Sequence, residues 1–434
     1  MNSVLKPLTF ALAGLLFAPA CMGAPRPELV REVLEGKRHE ARASWWGFDA
    51  QDSTQYLQQA INSKVKTLII DRQKSPWMTR PLTGVSNQEI VLATGTELAA
   101  LKGAFQRKGD CLLTFPGCEN ITIRGEKKDR GKTARIRMRK EDYQSEAYEK
   151  SEWRHGLSFS ACRNVLIQDL AIEQTGGDAI YLGTAPGRGP NRNVVIRRVD
   201  CNGNHRQGIS VISAQDLLIE DCLLRNTSGT APQAGIDFEP NAPGESLVRC
   251  VVRNCVAENN AGTGYQICPQ TMNSSSPLIS IDIENCVSRG NTQHGIHLCS
   301  APKDAPRGLL RISRFTSDRD RMAGLSVQFN PWDGVRIEMK DSELRDCARN
   351  DTFFPPIYVQ GLAAGSLPAG NIHFERVTVR DDVDRPFMRL RDEGGNGLKD
   401  ITGEITLKRR GVTKVVRLDD ARLREFVSEW KSRK

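Results

Sequence analysis

The sequence predicts an all-β solenoid, one chain wound into a coil of short strands, and three observations carry that prediction. The first is a phrase that returns with changes: GGDAIYLG from Gly176, RQGISVIS from Arg206, QAGIDFEP from Gln233, GTGYQICP from Gly262, QHGIHLCS from Gln293 and MAGLSVQF from Met322. Its glycines Gly177, Gly208, Gly235, Gly264, Gly295 and Gly324 are spaced by 31, 27, 29, 31 and 29 residues, inside the ~20–50-residue window of stacked repeats. The second is a companion phrase ahead of most of them: NVLIQDLAIEQ, NVVIRRVDCNG, DLLIEDCLLRN, CVVRNCVAENN and SIDIENCVSRG. The third is alternation of apolar and polar residues within both phrases, the mark of strands with one buried face.

At the start of the chain, Lys6 is followed by the apolar LTFALAGLLFAP, with Ala18 and Ala20 three and one residues before Cys21. That is the pattern of a secretory signal over 1–24, cut after Ala20 or after Ala24, and too short and wrongly flanked for a membrane span. Residues 25–43 read as a charged leader. A single domain, caps included, fills 44–434, because a repeat array lengthens without dividing. In SWWGFDAQDSTQYLQQAINS, Asp52 or Ser53 is placed to cap a helix whose Tyr56, Leu57, Ala60 and Ile61 share one face, and this helix plugs the open end of the coil. TLIID from Thr67 reads as the first strand, EIVLA from Glu89 as another, and CLLTF with NITIRG as the first clear pair. The densely charged stretch from about 129 to 154 reads as an insertion of the kind that flanks a groove. The regular coil runs from Trp153 to about Val379. GEITLKRRGVTKVVRL supplies a hairpin turning at Arg409, Arg410 and Gly411, and DDARLREFVSEWKSRK a short amphipathic helix with Leu423, Phe426 and Trp430. Both ends are thereby closed, which removes open strand edges.

Hydrophobic residues make up 39% of the 434, which excludes a disordered chain, and their scattered distribution excludes a multispanning membrane protein. Twelve cysteines in an exported chain invite disulfides. Cys222, Cys255 and Cys286 recur at one place, however, with Cys347 in DCAR read as a fourth, and they stack as a buried column of thiols. Cys111–Cys118 is the bridge to expect if one forms. No CxxC or His-rich spacing points to zinc. Asn226, Asn259, Asn260 and Asn291 follow the second strand of their units, and Asn120, Asn164 and Asn193 precede strands, so both sets read as turn and ladder residues.

The formal charge of +9 favours anionic partners. The basic residues are spread along the repeats without an RRM, zinc-finger or helix-turn-helix pattern, which points away from nucleic acid. Together with the export signal, this favours an acidic or sulfated polysaccharide. The destination is secreted or periplasmic; a lipid anchor through Cys21 is the second alternative, since Ala18 poorly matches the bulky aliphatic residue such sites carry.

Alternation assigns the faces of the glycine phrases. Ile180, Ile209, Ile236, Tyr265, Ile296 and Leu325 form one interior column, and Leu182, Val211, Phe238, Ile267, Leu298 and Val327 the next. The outward column between them reads Tyr181, Ser210, Asp237, Gln266, His297, Ser326 and Tyr358, and the outward position two residues on reads Gly183, Ile212, Glu239, Cys268, Cys299, Gln328 and Gln360. Asp237 and Glu239 stand at the centre. His205 and Arg206 lie just before the neighbouring strand, His294 and His297 two repeats further on, and Asp178 is a third carboxylate two repeats before Asp237. With His155 these make four of the chain's only six histidines, which is why the grouping matters.

The FDAQDSTQYLQQAINS start resembles the capping helix of right-handed, single-stranded parallel β-helix proteins of the pectate-lyase-like superfamily, and the NxVI and GIxV phrases resemble their rungs over roughly Trp45 to Val379. The resemblance implies a right-handed coil and carbohydrate chemistry. GIDFEPN resembles the outward acidic pair of iota-carrageenase-type β-helix hydrolases, although Pro240 and Asn241 also fit an ordinary turn and the pair also fits a surface or cation site.

Three functions are expected in order. The first is a glycoside hydrolase in which Asp237 and Glu239 exchange protons, His205 assists, and Arg206 steers a carboxylate or sulfate. Its substrate-binding residues are Asp178, Tyr181, Arg206, Gln266, His294, His297, Gln328 and Tyr358. Such chemistry requires no cofactor, though the acidic pair leaves room for calcium. The second is a polysaccharide lyase or uronate epimerase using His205, Arg206 and Tyr181. The third is a non-catalytic polysaccharide-binding or surface scaffold.

Overall fold

The computed structural model describes residues 25–126, 133–301, 304–350, 353–361, 364–392, 394–420 and Leu423. The expected signal segment over 1–24, and Phe426 and Trp430 of the expected closing helix, lie outside them. The fold is an all-β parallel β-helix. One turn shows its plan: Ala214–Glu220, Leu223–Arg225 and Ile236–Phe238 are three successive strands, each paired in parallel with its counterpart one turn away at Leu247–Arg253, Val256–Glu258 and Tyr265–Ile267. Between the first and second strands the chain turns a corner on a left-handed residue, Asp221, Asn254, Asn285, Arg314 or Asp341 in successive turns. Asn and Asp tolerate that conformation best, which explains their recurrence there. The third strands stack as one eleven-stranded parallel sheet from Leu82–Thr83 to Met388–Arg391.

The two expected interior columns are buried along their whole length. Burying each such side chain is worth about 1.5–3 kcal/mol, and the sum repeated turn after turn is what winds the coil. The glycines fit by close approach: a Cβ on Gly235 would lie 2.6 Å from the Gly264 carbonyl oxygen, and one on Gly295 2.6 Å from that of Gly324. Register places Ile180 against Ile209, so Ala179, not Gly177, holds the glycine position in that turn.

Several local expectations change. Residues 25–43 belong to the fold: Pro27–Leu34 is a helix, and Glu40–Arg42 is the first strand, paired with Thr67–Ile70. A three-residue strand is too short to display a period. The helix expected next spans Thr54–Asn62, with Leu57, Ala60 and Ile61 buried; Asp52 rather than Ser53 accepts the Thr54 N–H, at 3.0 Å. Cys222, Cys255 and Cys286 stack as expected, but Ser342 continues their column through Phe315, whose N–H it accepts, while Cys347 packs on Ser317. Cys111 and Cys118 are separate free thiols. The parallel coil continues past Val379 to the strand Leu398–Arg409, which then folds back antiparallel onto Val412–Leu418 as the expected hairpin.

The asparagines divide by role. Asn120, Asn164 and Asn193 are left-handed and pass side-chain hydrogen bonds along the outside, Asn193 to Asn164 and Asn164 to Asn120, each at 2.8 Å. Asn260 and Asn291 are buried and form an internal ladder. On the strand faces many arginines pair with acids one turn away, as in Arg253–Glu220, Arg289–Glu258, Arg225–Asp200 and Arg124–Glu89. Much of the basic residue content is therefore engaged in ladders and does not form a free basic face.

Candidate functional site

Register confirms the outward columns. Ser210 pairs with Asp237, Asp237 with Gln266, Gln266 with His297, His297 with Ser326 and Ser326 with Tyr358. The charged insertion expected over about 129–154 is shorter than that, since Ala134–Arg137 is a strand of the coil paired with Leu170–Glu173; facing outward does not leave the column exposed, because loops and the remaining 138–153 segment lie over the sheet. Tyr143 of that insertion is buried, and fully buried Arg154 ties the segment down through Phe105 O at 2.7 Å and Glu149 O at 2.7 Å.

Four of the expected residues meet in one charged cluster. Asp237 is 0% exposed and accepts from Gln207 Nε2 at 2.8 Å, while Gln207 Oε1 accepts the Ala234 N–H at 2.8 Å. Glu239, two residues along the same strand direction, keeps 30% of its side chain exposed and accepts from Arg206 Nη2 at 2.6 Å. Arg206 Nη1 stands 3.8 Å from Asp178 Oδ2, and its Nε 3.8 Å from Glu152 Oε1. Asp178 lies in the turn before its strand. Its backbone N–H donates to His155 Nδ1 at 3.0 Å, and the His155 ring stacks on Tyr181 at 4.4 Å between centroids.

Burial sets the protonation pattern. Desolvation, reinforced by the neighbouring Glu239, pushes Asp237 well above the ordinary carboxylate range against the pull of Arg206. Burial likewise raises Asp178 to about 7, with Arg206 opposing and Glu239 and Glu152 adding. Burial and then Arg206 lower His155 to about 3. His155 is therefore neutral, and its 3.3 Å approach to Asp178 Oδ2 is not an ion pair. Both Asp178 carboxylate oxygens, Asp237 Oδ1, Ser210 Oγ and Arg206 Nε are buried without completing a hydrogen bond. Such a concentration is uncommon in a core and typical of a site.

The remaining expected residues are elsewhere or packed. His205 is buried with Nδ1 3.3 Å from Gln144 Nε2 and Nε2 2.9 Å from Thr230 Oγ1, so both ring nitrogens face loop partners. Burial lowers it to about 4. Gln266 flanks Asp237 in the column. His297 Nδ1 lies 3.1 Å from Ser326 Oγ, to which Gln328 Nε2 also points at 3.3 Å. His294 stacks on His297 and meets Phe354 edge-on. Tyr358 is buried against Phe353 and Phe354 and offers no free ring face. Gln207 and Glu152 were not anticipated. Gln207 could have been found, since it occupies in its turn the place Asp178 occupies one turn earlier; Glu152 reaches the cluster only through the path of the insertion.

Beside the cluster, and sharing Glu152, is a surface depression of about 480 Å³ lined by Lys108, Lys150, Trp153, His205 and Thr230 among others. Trp153 is 50% exposed there. The cation set against Asp178 and Glu239 is Arg206, and among the described residues no group of three or more His, Cys, Asp or Glu is placed to hold a metal ion. Among the same residues no helix is long and apolar enough to cross a membrane.

The architecture is that of a right-handed parallel β-helix. Residues 148–305 match the family model of the right-handed β-helix region. Among solved structures, the chain is similar to the A-module of mannuronan C-5 epimerase AlgE4 from Azotobacter vinelandii, at 14% identity and TM-score 0.62 over 86% of this chain and 96% of that one. It is also similar to a family 28 exopolygalacturonase from Yersinia enterocolitica, at 13% identity and TM-score 0.55 over 87% and 76%. In sequence it is 31% identical over 102 residues to the uncharacterised Bacillus subtilis protein YclG, covering 22% of this chain and 18% of that one. The chain spans less than a fifth of the length of the curated relatives it matches.

Proposed function

We propose that this chain is an exported glycoside hydrolase acting on an anionic polysaccharide through carboxylate acid and base catalysis. The observation that carries the reading is the division of labour between Asp237 and Glu239. Desolvation pushes the buried Asp237 toward its protonated form, while the partly exposed Glu239 is paired with Arg206 and open to solvent. A buried carboxyl driven toward its proton beside a solvent-open, arginine-paired one is the asymmetry that glycoside hydrolysis uses. Glu239 is the member that reaches the glycosidic bond: Asp237 passes its proton to Glu239, which delivers it to the leaving oxygen, and the attacking water gives up a proton that returns to the pair. Trp153 offers a face for a sugar ring, and Lys108 and Lys150 in the same depression suit acidic groups along the chain. The likeness to two folds whose proteins are named as an epimerase and an exopolygalacturonase supports carbohydrate as the substrate class, and the apolar start supports export.

A second reading, elimination or epimerisation at a uronate, is favoured by Tyr181. Burial, followed by Asp178, raises Tyr181 to about 12, so it stays a proton donor beside Arg206 and Asp178. Products separate the readings. Incubation with uronate-containing, sulfated and neutral polysaccharides should release reducing ends without ultraviolet absorbance if hydrolysis is correct. An absorbing unsaturated uronate would establish elimination instead, and inverted uronates in unbroken chains, read by proton NMR, would establish epimerisation.

A further inference from the structure

Cys268 and Cys299 differ from the interior thiols. They follow Glu239 in the second outward column: Ile267 pairs with Leu298, and the same register carried one residue further sets Cys268 opposite Cys299. Both remain in the ladder. The Cys268 N–H donates to Phe238 O at 2.7 Å, and Cys299 pairs with Gln328 on its other side. Neighbouring strands lie ~4.8 Å apart, inside the ~4.4–6.8 Å Cα separation a disulfide spans, and both side chains leave the sheet on the same face. Cys268 is partly exposed. Gln270 Nε2 donates to Cys299 Sγ at 2.7 Å. With the Cys268 thiol first and His297 and Gln270 after it, these donors hold Cys299 down to about 5, against its burial.

We propose that Cys268 and Cys299 form a modification site, a dithiol that closes to a cross-turn disulfide by exchange with a small-molecule disulfide such as oxidised glutathione. The Cys299 thiolate attacks one sulfur of the small disulfide, forming a mixed disulfide and expelling the other half as a thiolate. Cys268 then loses its proton and attacks the Cys299 sulfur, expelling the second half. The protein pair is oxidised by two electrons, the small disulfide is reduced by two, and the cysteine protons end on the two released thiols. The bond ties together two adjacent turns of the outward sheet face, beginning one turn beyond Glu239.

The test is mapping of the native chain after exposure to excess oxidised glutathione, with acid quenching, alkylation and peptide mass spectrometry. The expected result is a peptide pair joined through Cys268 and Cys299, lost in Cys268→Ser, while the interior thiols alkylate only after unfolding. Full alkylation of Cys268 and Cys299, a mixed disulfide that does not proceed to the cross-link, or bridging among the interior cysteines instead would each overturn it. The wild-type map decides this even if the serine variant folds poorly.

Discussion

Arg206 donates to Glu239 at 2.6 Å while standing 3.8 Å from Asp178, so one guanidinium joins carboxylates from separate turns of the coil above the buried Asp237. With 12% of its side chain exposed, it is the cation on which the folded cluster depends. Arg206→Ala is expected to cost about 1–3 kcal/mol, because it removes the hydrogen-bonded partner of Glu239 and the charge that opposes burial at Asp178. Adding Asp178→Asn should recover part of that loss. Urea unfolding of the two single variants and the double variant checks this, and strict additivity would show that Arg206 and Asp178 are not coupled.

Glu239→Gln and Asp237→Asn should each lower turnover on the responsive polysaccharide at least ~10²-fold. Asp237→Asn should also leave stability nearly unchanged, since an uncharged amide suits a site whose burial disfavours the carboxylate and its oxygen can still accept from Gln207. Steady-state rates and thermal melts of both variants are the measurement. Undiminished turnover in both would remove the pair from the chemistry.

The interior of this protein was legible because a strand buried on one face must alternate: Ile236, Phe238 and their counterparts appear in the sequence as a column before any coordinate is known. The outward column was legible for the same reason. Its burial was not, because whether Asp237 is open depends on loops and an insertion whose paths no local pattern fixes. His205 shows the same limit, standing beside Arg206 in sequence yet turned toward Gln144 and Thr230. Gly177 was matched to the wrong position because Ala179 replaces glycine where only a small side chain, not a left-handed backbone, is required. The strand Glu40–Arg42 was missed because three residues carry no readable period.

Asp178 makes a distinct prediction in pH. Its folded value of about 7 lies above the ordinary 3.8, so the native state holds more protons than the unfolded chain between the two values. This contribution to stability is complete below about pH 4 and is lost as pH rises through about 7. Asp178→Asn, which cannot ionise, should escape the loss. The melting temperature of the variant relative to wild type should therefore climb from acid to neutral pH, and a difference independent of pH would contradict the assignment. His155 works in the opposite sense, since its depressed value removes stability as pH falls below the ordinary histidine range, which is why the comparison must be between variants and not between pH values of the wild type alone.

The internal asparagine ladder ends on a carboxylate, and that ending is chemically determined. Asn260 Oδ1 accepts the Thr227 N–H at 3.0 Å, Asn291 Oδ1 accepts from both the backbone and side-chain nitrogens of Asn260 at 2.9 Å, and Asp320 Oδ1 accepts the same pair from Asn291 at 2.9 Å. The last member must accept without passing a donor onward, and Asp320 does so while Oδ2 accepts from Ser317 Oγ at 2.6 Å. Asp320→Ala leaves the Asn291 backbone N–H without its buried acceptor, while the Asn291 amide keeps Ala257 O and Ser288 Oγ, and is expected to cost about 1–3 kcal/mol. Asp320→Asn keeps one acceptor oxygen and lets the Ser317 hydroxyl turn to accept, so its cost should stay below about 1 kcal/mol. Burial raises Asp320 to about 6, so wild-type stability from this group falls as pH rises through that value, and the Asn variant should close the gap or pass wild type above it. Urea midpoints of both variants on either side of that pH decide the matter: an Ala variant as stable as the Asn variant would mean that the ladder does not depend on its terminal acceptor.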